Sequence, residues 1–460
     1  MKEKTGQLFK AVGKKIKNLM TPARYIVLGF LGVIAVGTIL LVLPFSSASG
    51  KTIGFVPALF TSTTTVCVTG LTVIDPATQL SIFGQIVVLL LIQIGGLGFM
   101  TTTTFMFMLV GKKISLKERM TIQESLDQDS LKGVVKLTKR ILAFTFIFEG
   151  FGTLMLMTRL VPALGARGIY VSLFTAVSSF CNAGLDIMGK DYGAFSSISA
   201  FSHDPVVLIT VMVLIISGGL GFLVFNDVLR KKRNRPLRLH TRVSLSMTAI
   251  LLVVGAAMIL GIEWNNPGTL GGLTPSQKLM AALFQSVTLR TAGFASFNQD
   301  ALTEASKLLS NILMFVGGSS GSTAGGVKTV TMGLVVLSAV STMRGRRQVT
   351  VFRRSISQQD ISNAVSVALL VLGLSLFGAA VLTVCDRCSF LNAIYETTSA
   401  LCTVGLTTGI TGTLCAASKL ILIVFMFFGR VGIMTIGVGF MMGDRARERV
   451  QYAETKVMIG

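Results

Sequence analysis

The sequence predicts an all-α membrane protein: eight transmembrane helices with four re-entrant pore loops, arranged as span–pore loop–span four times around one pore in pseudo-fourfold order. Three observations predict it: apolar runs of membrane length, basic residues gathered in alternate connections, and a fourfold repeat marked by two glycine registers. The composition agrees. Of 460 residues, 51% are hydrophobic and 13% charged, with a mean hydropathy of +0.73; globular chains carry about a quarter charged residues. So few charges would not cover the surface of a soluble chain this long, which excludes a soluble multidomain enzyme. A net charge of +22 would suggest nucleic acid in a soluble protein. In a membrane protein basic loops report orientation instead, and no nucleic-acid partner is expected. Six cysteines and two histidines offer neither a disulfide scaffold nor much imidazole chemistry.

A hydrocarbon core about 30 Å thick needs roughly 20 helical residues. Uncharged apolar runs of that order occur at 26–44, 80–110, 205–226, 243–262 and 361–385. The run 141–158 qualifies with Glu149 inside it, and 420–443 qualifies with Arg430. The stretch between Lys307 and Arg344 is interrupted only by Lys328, and as one straight helix it would overshoot the bilayer. Its middle is Gly317, Gly318, Ser319, Ser320, Gly321, Ser322, Thr323, Ala324, Gly325 and Gly326, the poorest helix former in the chain. It reads as two helical pieces joined by an unwound loop, one broken span, which brings the total to eight.

Of 42 basic residues, 31 fall before the first run, between Lys112 and Arg140, between Arg230 and Arg242, between Arg344 and Arg354, or after Gly443. These are alternate connections, so by the positive-inside rule they and both termini are expected in the cytoplasm. The expected organisation is a basic N-terminal segment 1–24, repeats over 25–112, 134–230, 242–344 and 361–443, and a tail 444–460. No signal-peptide cleavage pattern precedes the first run.

The remaining connections resemble one another: FTSTTTVCVTGL (60–71), FTAVSSFCNAGL (174–185), FQSVTLRTAGF (284–294) and YETTSALCTVGL (395–406). Each opens on an aromatic residue and closes on a glycine followed by Leu or Phe. Those glycines, Gly70, Gly184, Gly293 and Gly405, are 114, 109 and 112 residues apart. A second register at Gly95, Gly218, Gly317 and Gly429 follows them by 25, 34, 24 and 24 residues. A fixed period carrying two linked landmarks is a repeat architecture.

Backbone that leaves the helix at membrane depth is tolerated only where protein buries it or where it lines a cavity. Four such segments around one axis would aim four helix C-termini at it, each carrying roughly half a negative charge. That field favours a cation. Beyond each short helix, Val68-Thr69-Gly70, Asn182-Ala183-Gly184, Thr291-Ala292-Gly293 and Thr403-Val404-Gly405 are expected to turn carbonyl oxygens inward, replacing a hydration shell as in potassium filters. Glycine suits a backbone that a Cβ would penalise.

This fourfold plan with one glycine per loop, the run GSTAGGVKT (321–329) and the arginine of FGRVG (Arg430) resemble the Trk/Ktr/HKT superfamily of potassium transporters over about residues 25–460. Within it the chain looks most like the KtrB-type membrane subunits of bacterial Ktr systems, which have no additional N-terminal pair of spans and end in sequence like KVMIG. The resemblance implies K⁺ uptake across the bacterial plasma membrane, often with Na⁺ as activator. It implies a homodimer with one pore per protomer, seated on a cytoplasmic octameric ring of KtrA-type subunits that binds ATP or ADP. No cofactor is implied in this chain. Superfamily members with serine at the first filter glycine tend to pass sodium; Gly70 is intact, which favours potassium.

The 317–326 loop falls in the second glycine register and is read as a gate below the filter, with a passive break as the alternative. It mimics a phosphate-binding loop, but Val327 separates Gly326 from Lys328 and no strand precedes it. Arg430 is costly inside a membrane and should face the interior as an electrostatic barrier, as an anchor for the loop, or in a salt bridge with Glu149. Lys328 is the second pore charge. Arg290 is expected to brace the filter or to pair with Asp300. Asp75, Asp186 and Asp191 are placed to gather cations at the outer mouth or to be solvated loop carboxylates. Cys385 and Cys388 form a CxxC that lacks a second pair or a nearby histidine for a zinc site. Two rival functions stand: a Na⁺- or H⁺-coupled symporter with alternating access, for which inverted repeats would speak, and an intramembrane enzyme. The enzyme lacks the HExxH, paired-aspartate or Ser/His signatures it would need.

Overall fold

A computed structural model describes residues 22–98, 101–102, 134–229, 237–346, 348–352 and 354–440. The rest of the basic N-terminal segment, most of the basic connection after the second apolar run, residues 230–236 and the C-terminal tail with its KVMIG end lie outside the described residues.

Among the described residues the regular structure is helical, apart from a short antiparallel pair, β1 (Thr350–Val351) and β2 (Arg354–Ser355). Four units succeed one another. The first holds α1 (Pro22–Val42), α2 (Phe55–Val66) and α3 (Ile82–Leu97). The second holds α4 (Val134–Leu164), α5 (Arg167–Phe180), α6 (Pro205–Leu220) and α7 (Phe222–Leu229). The third holds α8 (Leu239–Glu263), α9 (Pro275–Thr288), α10 (Glu304–Phe315) and α11 (Thr329–Met343). The fourth holds α12 (Gln358–Asp386), α13 (Phe390–Leu401), α14 (Ala416–Val431) and α15 (Ile433–Phe440).

Polar residues start these helices where the apolar runs begin. Ser81 accepts from Gly84 N at 3.2 Å, Asp204 from Val206 N at 2.8 Å with Pro205 in the first turn, and Thr303 from Ser306 N at 3.3 Å. Thr274 and Gln277 close a capping box on α9. Such caps satisfy amides that no preceding turn can reach.

Among the described residues, four helices are long and apolar enough to cross a membrane: α1, α4, α8 and α12. Large apolar side chains such as Ile39, Ile147, Val253 and Leu369 are exposed along them, as lipid-facing surface would be. The C-terminal parts of the short helices α2, α5, α9 and α13 are buried. Their repeated aromatic residues, Phe60, Phe174, Phe284 and Tyr395, are all completely buried and anchor each short helix inside the ring of long ones.

The second helices differ from the sequence expectation, in which only the third was broken. α3 and α14 have 16 residues each, about 24 Å at 1.5 Å per residue, and α6 turns through 91° into α7. Gly98, Gly221 and Gly432 stand at these ends with φ of 82°, 87° and 92°, left-handed values at which an α-helix cannot continue. Hydropathy registers composition and passes over a single glycine. Each lies three residues beyond a member of the second glycine register, so the register marks a helix end as well as a contact.

The contact itself is backbone on backbone. A Cβ on Gly95 would run into the carbonyl of Val66, one on Gly218 into that of Phe180, and one on Gly429 into that of Leu401. In three units, then, the second helix touches the last turn of its own short helix through a missing side chain. In the third unit Gly317 meets the carbonyl of Gly325 instead, because the chain there has left the helix. Replacing Gly95 by alanine should destabilise the protein by about 1–3 kcal/mol through overpacking, read as a lower unfolding temperature in detergent. Gly150→Ala on α4, where a Cβ meets nothing within 4 Å, should not lower it.

Candidate functional site

All four short helices end at one place. Beyond them the triplets follow a shared backbone rule: the first residue is left-handed at Val68 (φ 54°), Asn182 (59°), Thr291 (66°) and Thr403 (52°). The third is left-handed too, at Gly70 (98°), Gly184 (64°), Gly293 (80°) and Gly405 (93°). For non-glycine residues, three of them β-branched here, such values cost about 1–3 kcal/mol each and persist only when the surroundings enforce them.

Those surroundings are amide hydrogen bonds that turn back to the short helices. Thr69 N donates to Thr64 O at 2.8 Å, Ala183 N to Ser178 O at 2.7 Å and Val404 N to Ser399 O at 2.8 Å. Side-chain hydroxyls continue the pattern: Gly70 N donates to Thr64 Oγ1, Gly405 N to Ser399 Oγ and Leu185 N to Ser178 Oγ, each at 3.0 Å. Sequence reasoning did not single out these hydroxyls, although a Ser or Thr stands six residues before the glycine in three segments. The third segment is one residue shorter between aromatic and glycine. There Ala292 N reaches Thr288 O instead, at 3.0 Å, and Thr288 Oγ1 donates to Phe294 O at 2.7 Å.

The four segments close on one another. A Cβ on Gly70 would lie 2.5 Å from Ala183 O, one on Gly184 2.6 Å from Ala292 O, and one on Gly293 2.6 Å from Val404 O. One on Gly405 would strike Thr69 O. First unit meets second, second meets third, third meets fourth, and fourth meets first. Most of the triplet amides are bonded back to the short helices, and no carbonyl of the four triplets accepts a hydrogen bond from any described residue, an unusual state for buried backbone.

On one side of this ring lies the 317–326 loop. It is stitched to itself by Gly317 N donating to Val327 O at 2.9 Å and Thr329 N to Gly318 O at 3.0 Å. The second unit holds it through Ser319 N donating to Gly219 O at 3.0 Å and Phe222 N to Gly321 O at 3.0 Å. Arg430 joins it to the first and fourth units, donating to Thr323 O and Gly95 O, and to Gly96 O at 3.2 Å. The guanidinium therefore spends its fork on carbonyls, while Glu149 is bonded by Gln93 at 3.3 Å. Lys328 Nζ donates to Ala324 O at 2.8 Å. The loop abuts the ring: a Cβ on Gly325 would strike the Thr403 side chain, and one on Gly326 would lie 3.2 Å from Cys402 Cβ.

Arg290 does not pair with Asp300, whose carboxylate is taken by Lys307 at 2.9 Å. Buried beside Thr291, it donates to Thr329 Oγ1 at 3.2 Å and lies 3.5 Å from Gly317 O, so it ties the third triplet to both ends of the loop. Two more buried groups escaped sequence reasoning because they look like ordinary helix residues. The Glu396 carboxylate accepts from Thr407 Oγ1 at 2.6 Å, Thr411 Oγ1 at 2.7 Å and Thr408 N at 3.0 Å, fixing the chain after the fourth triplet. Gln299 accepts from Gln285 at 2.6 Å and from the Tyr395 hydroxyl at 3.1 Å, joining the third and fourth units.

On the other side of the ring is a cavity of about 90 Å³ lined by all four ring glycines together with Asp75 and Asp186. Asp191 is not part of it; Arg167 holds it at 2.6 Å. Burial, reinforced by the nearby Asp75 carboxylate, pushes the Asp186 carboxyl up to about 6.

A family model described as TrkH, a cation transport protein, matches residues 6–447. The Ktr system potassium uptake protein B of Bacillus subtilis is 39% identical over 441 residues, covering 96% of this chain and 97% of that protein. The potassium/sodium uptake protein NtpJ of Enterococcus hirae is 38% identical over 453 residues, covering 97% and 99%. The crystal structure of the potassium transporter TrkH from Vibrio parahaemolyticus shares the fold, with a TM-score of 0.69 at 17% identity over 90% of this chain and 84% of that one. These relatives are cation transporters and not enzymes. A ring of unpaired carbonyls inside an apolar helical shell and near-full-length identity to such proteins lead to one assignment: the chain belongs to the TrkH family of cation transport proteins.

Proposed function

We propose that this chain carries K⁺ into the cell through the ring of four triplets, which acts as its selectivity filter. The observation that carries the proposal is the set of buried triplet carbonyls without donors, closed into a ring by four glycines. A dehydrated monovalent cation is the partner such oxygens lack, since rings of carbonyls replace a hydration shell. The four helix C-termini behind them add negative potential. An inside-negative membrane potential of 100 mV supplies about 2.3 kcal/mol per charge, so the chain itself needs no chemical step.

In this reading the four units are the repeats 25–112, 134–230, 242–344 and 361–443, each a span, a re-entrant segment and a second span, which makes eight spans around one pore. The 317–326 loop is the gate and Arg430 its anchor, supported by the hydrogen bonds from Arg430 to Thr323 and to the first unit. Sodium activation, pairing as a homodimer and a nucleotide-binding KtrA-type ring on the cytoplasmic side belong to the same proposal, in keeping with the words "Ktr system" and "potassium/sodium" in the names of the relatives. So does the plasma-membrane orientation with both termini inside.

Purified protein in liposomes should support Rb⁺ flux. Gly70→Ser should reduce Rb⁺-over-Na⁺ discrimination by about tenfold, the effect of about 1.4 kcal/mol; an unchanged ion preference removes the filter assignment. Arg430→Lys keeps the charge but loses the planar fork, so it should raise flux severalfold if Arg430 anchors the loop. Flux at the wild-type level would leave Arg430 as a barrier only. External acidification from about pH 7.5 to about pH 5 neutralises Asp186 on passing its value of about 6. Half-maximal uptake should then require more Rb⁺, and Asp186→Asn should show the acid behaviour at every pH; an unaltered pH profile in that variant would discard Asp186 as a cation collector.

A further inference from the structure

Outside the ring, the 91° bend between α6 and α7 leaves a wedge that helix packing does not fill. α7 swings away from α6 at Gly221 and lies across the inner end of α4, and between them is a cavity of about 350 Å³. That volume falls within the range of about 300–1,000 Å³ typical of small-molecule sites. Its walls are apolar and aromatic, with Phe144 packed against Phe225 at a ring-centroid distance of 4.2 Å, the rings tilted by 41°, and Phe222 closing the end nearest the bend. Polarity is confined to the rim, where Arg140 donates to Asn226 at 2.9 Å. Arg140 is exposed, and that bond uses one of the five donors of its guanidinium. Lys136, also exposed, sits one turn earlier on the same helix face.

The geometry points to a binding site for an anionic glycerophospholipid of the inner leaflet, with one acyl chain in the wedge and the headgroup phosphate on Arg140 and Lys136. Three considerations select this occupant. An apolar recess at membrane depth is filled by hydrocarbon, because water there would lose its hydrogen bonds and a void would forfeit dispersion contacts. Among the described residues that line it the one charged side chain is Arg140, and basic pockets between helices on the cytoplasmic side attract anionic headgroups. Finally, Arg140 closes the basic connection that the positive-inside rule puts at the cytoplasmic surface, where such a headgroup would lie; this placement rests on the proposed topology.

The site would act on the loop. Phe222 lines the wedge with its ring while its N–H donates to Gly321 O at 3.0 Å, and a Cβ on Gly221 would lie 2.9 Å from Ser320 O. A chain packed against Phe222 thus presses on the segment to which the 317–326 loop is bonded. That consequence rests on the gate reading; the binding site does not.

The test uses full-length protein in bilayers of phosphatidylcholine with a graded share of phosphatidylglycerol. Lipid retained after extraction would be measured by native mass spectrometry. The wild type should keep phosphatidylglycerol in preference to phosphatidylcholine. Arg140→Gln should lose about fivefold of that preference, the size of one basic residue's attraction to an anionic surface. Ala143→Trp, which fills the wedge from its wall, should lose the retained lipid. Equal retention of the two lipids by the wild type overturns headgroup recognition whatever the variants do, and full retention by Ala143→Trp overturns the location. Rb⁺ flux should change with phosphatidylglycerol in the wild type and not in Ala143→Trp; flux indifferent to a lipid that is bound overturns the coupling. Retention without any flux in the wild type would count against the transport reading and leave the lipid site standing.

Discussion

Everything in this molecule depends on keeping a ring of peptide carbonyls unpaired inside a membrane protein. In hydrocarbon each unsatisfied backbone group costs several kcal/mol, and the ordinary remedy is a helix. Here four segments leave the helix at one depth, and their amides are taken back by the short helices through bonds such as Thr69 N to Thr64 O at 2.8 Å. Left-handed residues at the first and third positions of each triplet make this possible. Strain is thereby stored where carbonyls are presented, as is common at functional sites.

Glycine works at two levels of this design. At Gly70, Gly184, Gly293 and Gly405 it supplies the left-handed turn and the space for a neighbouring unit's carbonyl. At Gly95, Gly218 and Gly429 it allows the second helix to lie on the last turn of the short helix, and three residues later another glycine ends that helix. The third unit departs from both patterns. Its triplet segment is one residue short, its second helix opens into the 317–326 loop, and Arg290 spans the two. In that quadrant a loop held by backbone bonds, Arg430 and Arg290 stands where the other units have packed helix.

Hydrogen bonding between units follows the same economy. Arg430 on the fourth unit reaches the first unit and the third-unit loop, Gln299 joins the third unit to Tyr395 of the fourth, and the bend at Gly221 carries the loop's contact to the second. The loop is therefore linked to every other unit, directly to the second and fourth and through Arg430 to the first.

Some of this was legible in the residues. Apolar runs and confined basic charges specify a helical membrane protein, because burial in lipid acts on composition. The paired glycine registers repeat at a fixed period because the first meets one steric need in four units and the second meets another in three. The poor helix former at 317–326 coincides with the gap between Phe315 and Thr329. Other features were decided only by the tertiary structure. Hydropathy could not see that Gly98, Gly221 and Gly432 would take left-handed angles, since glycine accepts a helix as well as a turn and its neighbours choose. Nor could it choose between Glu149 and backbone carbonyls for Arg430, give Asp191 to Arg167, or remove Asp300 from Arg290. Those pairings range from 7 positions apart, Lys307 with Asp300, to 335, Arg430 with Gly95, and which charge meets which oxygen is fixed by where packing brings the helices.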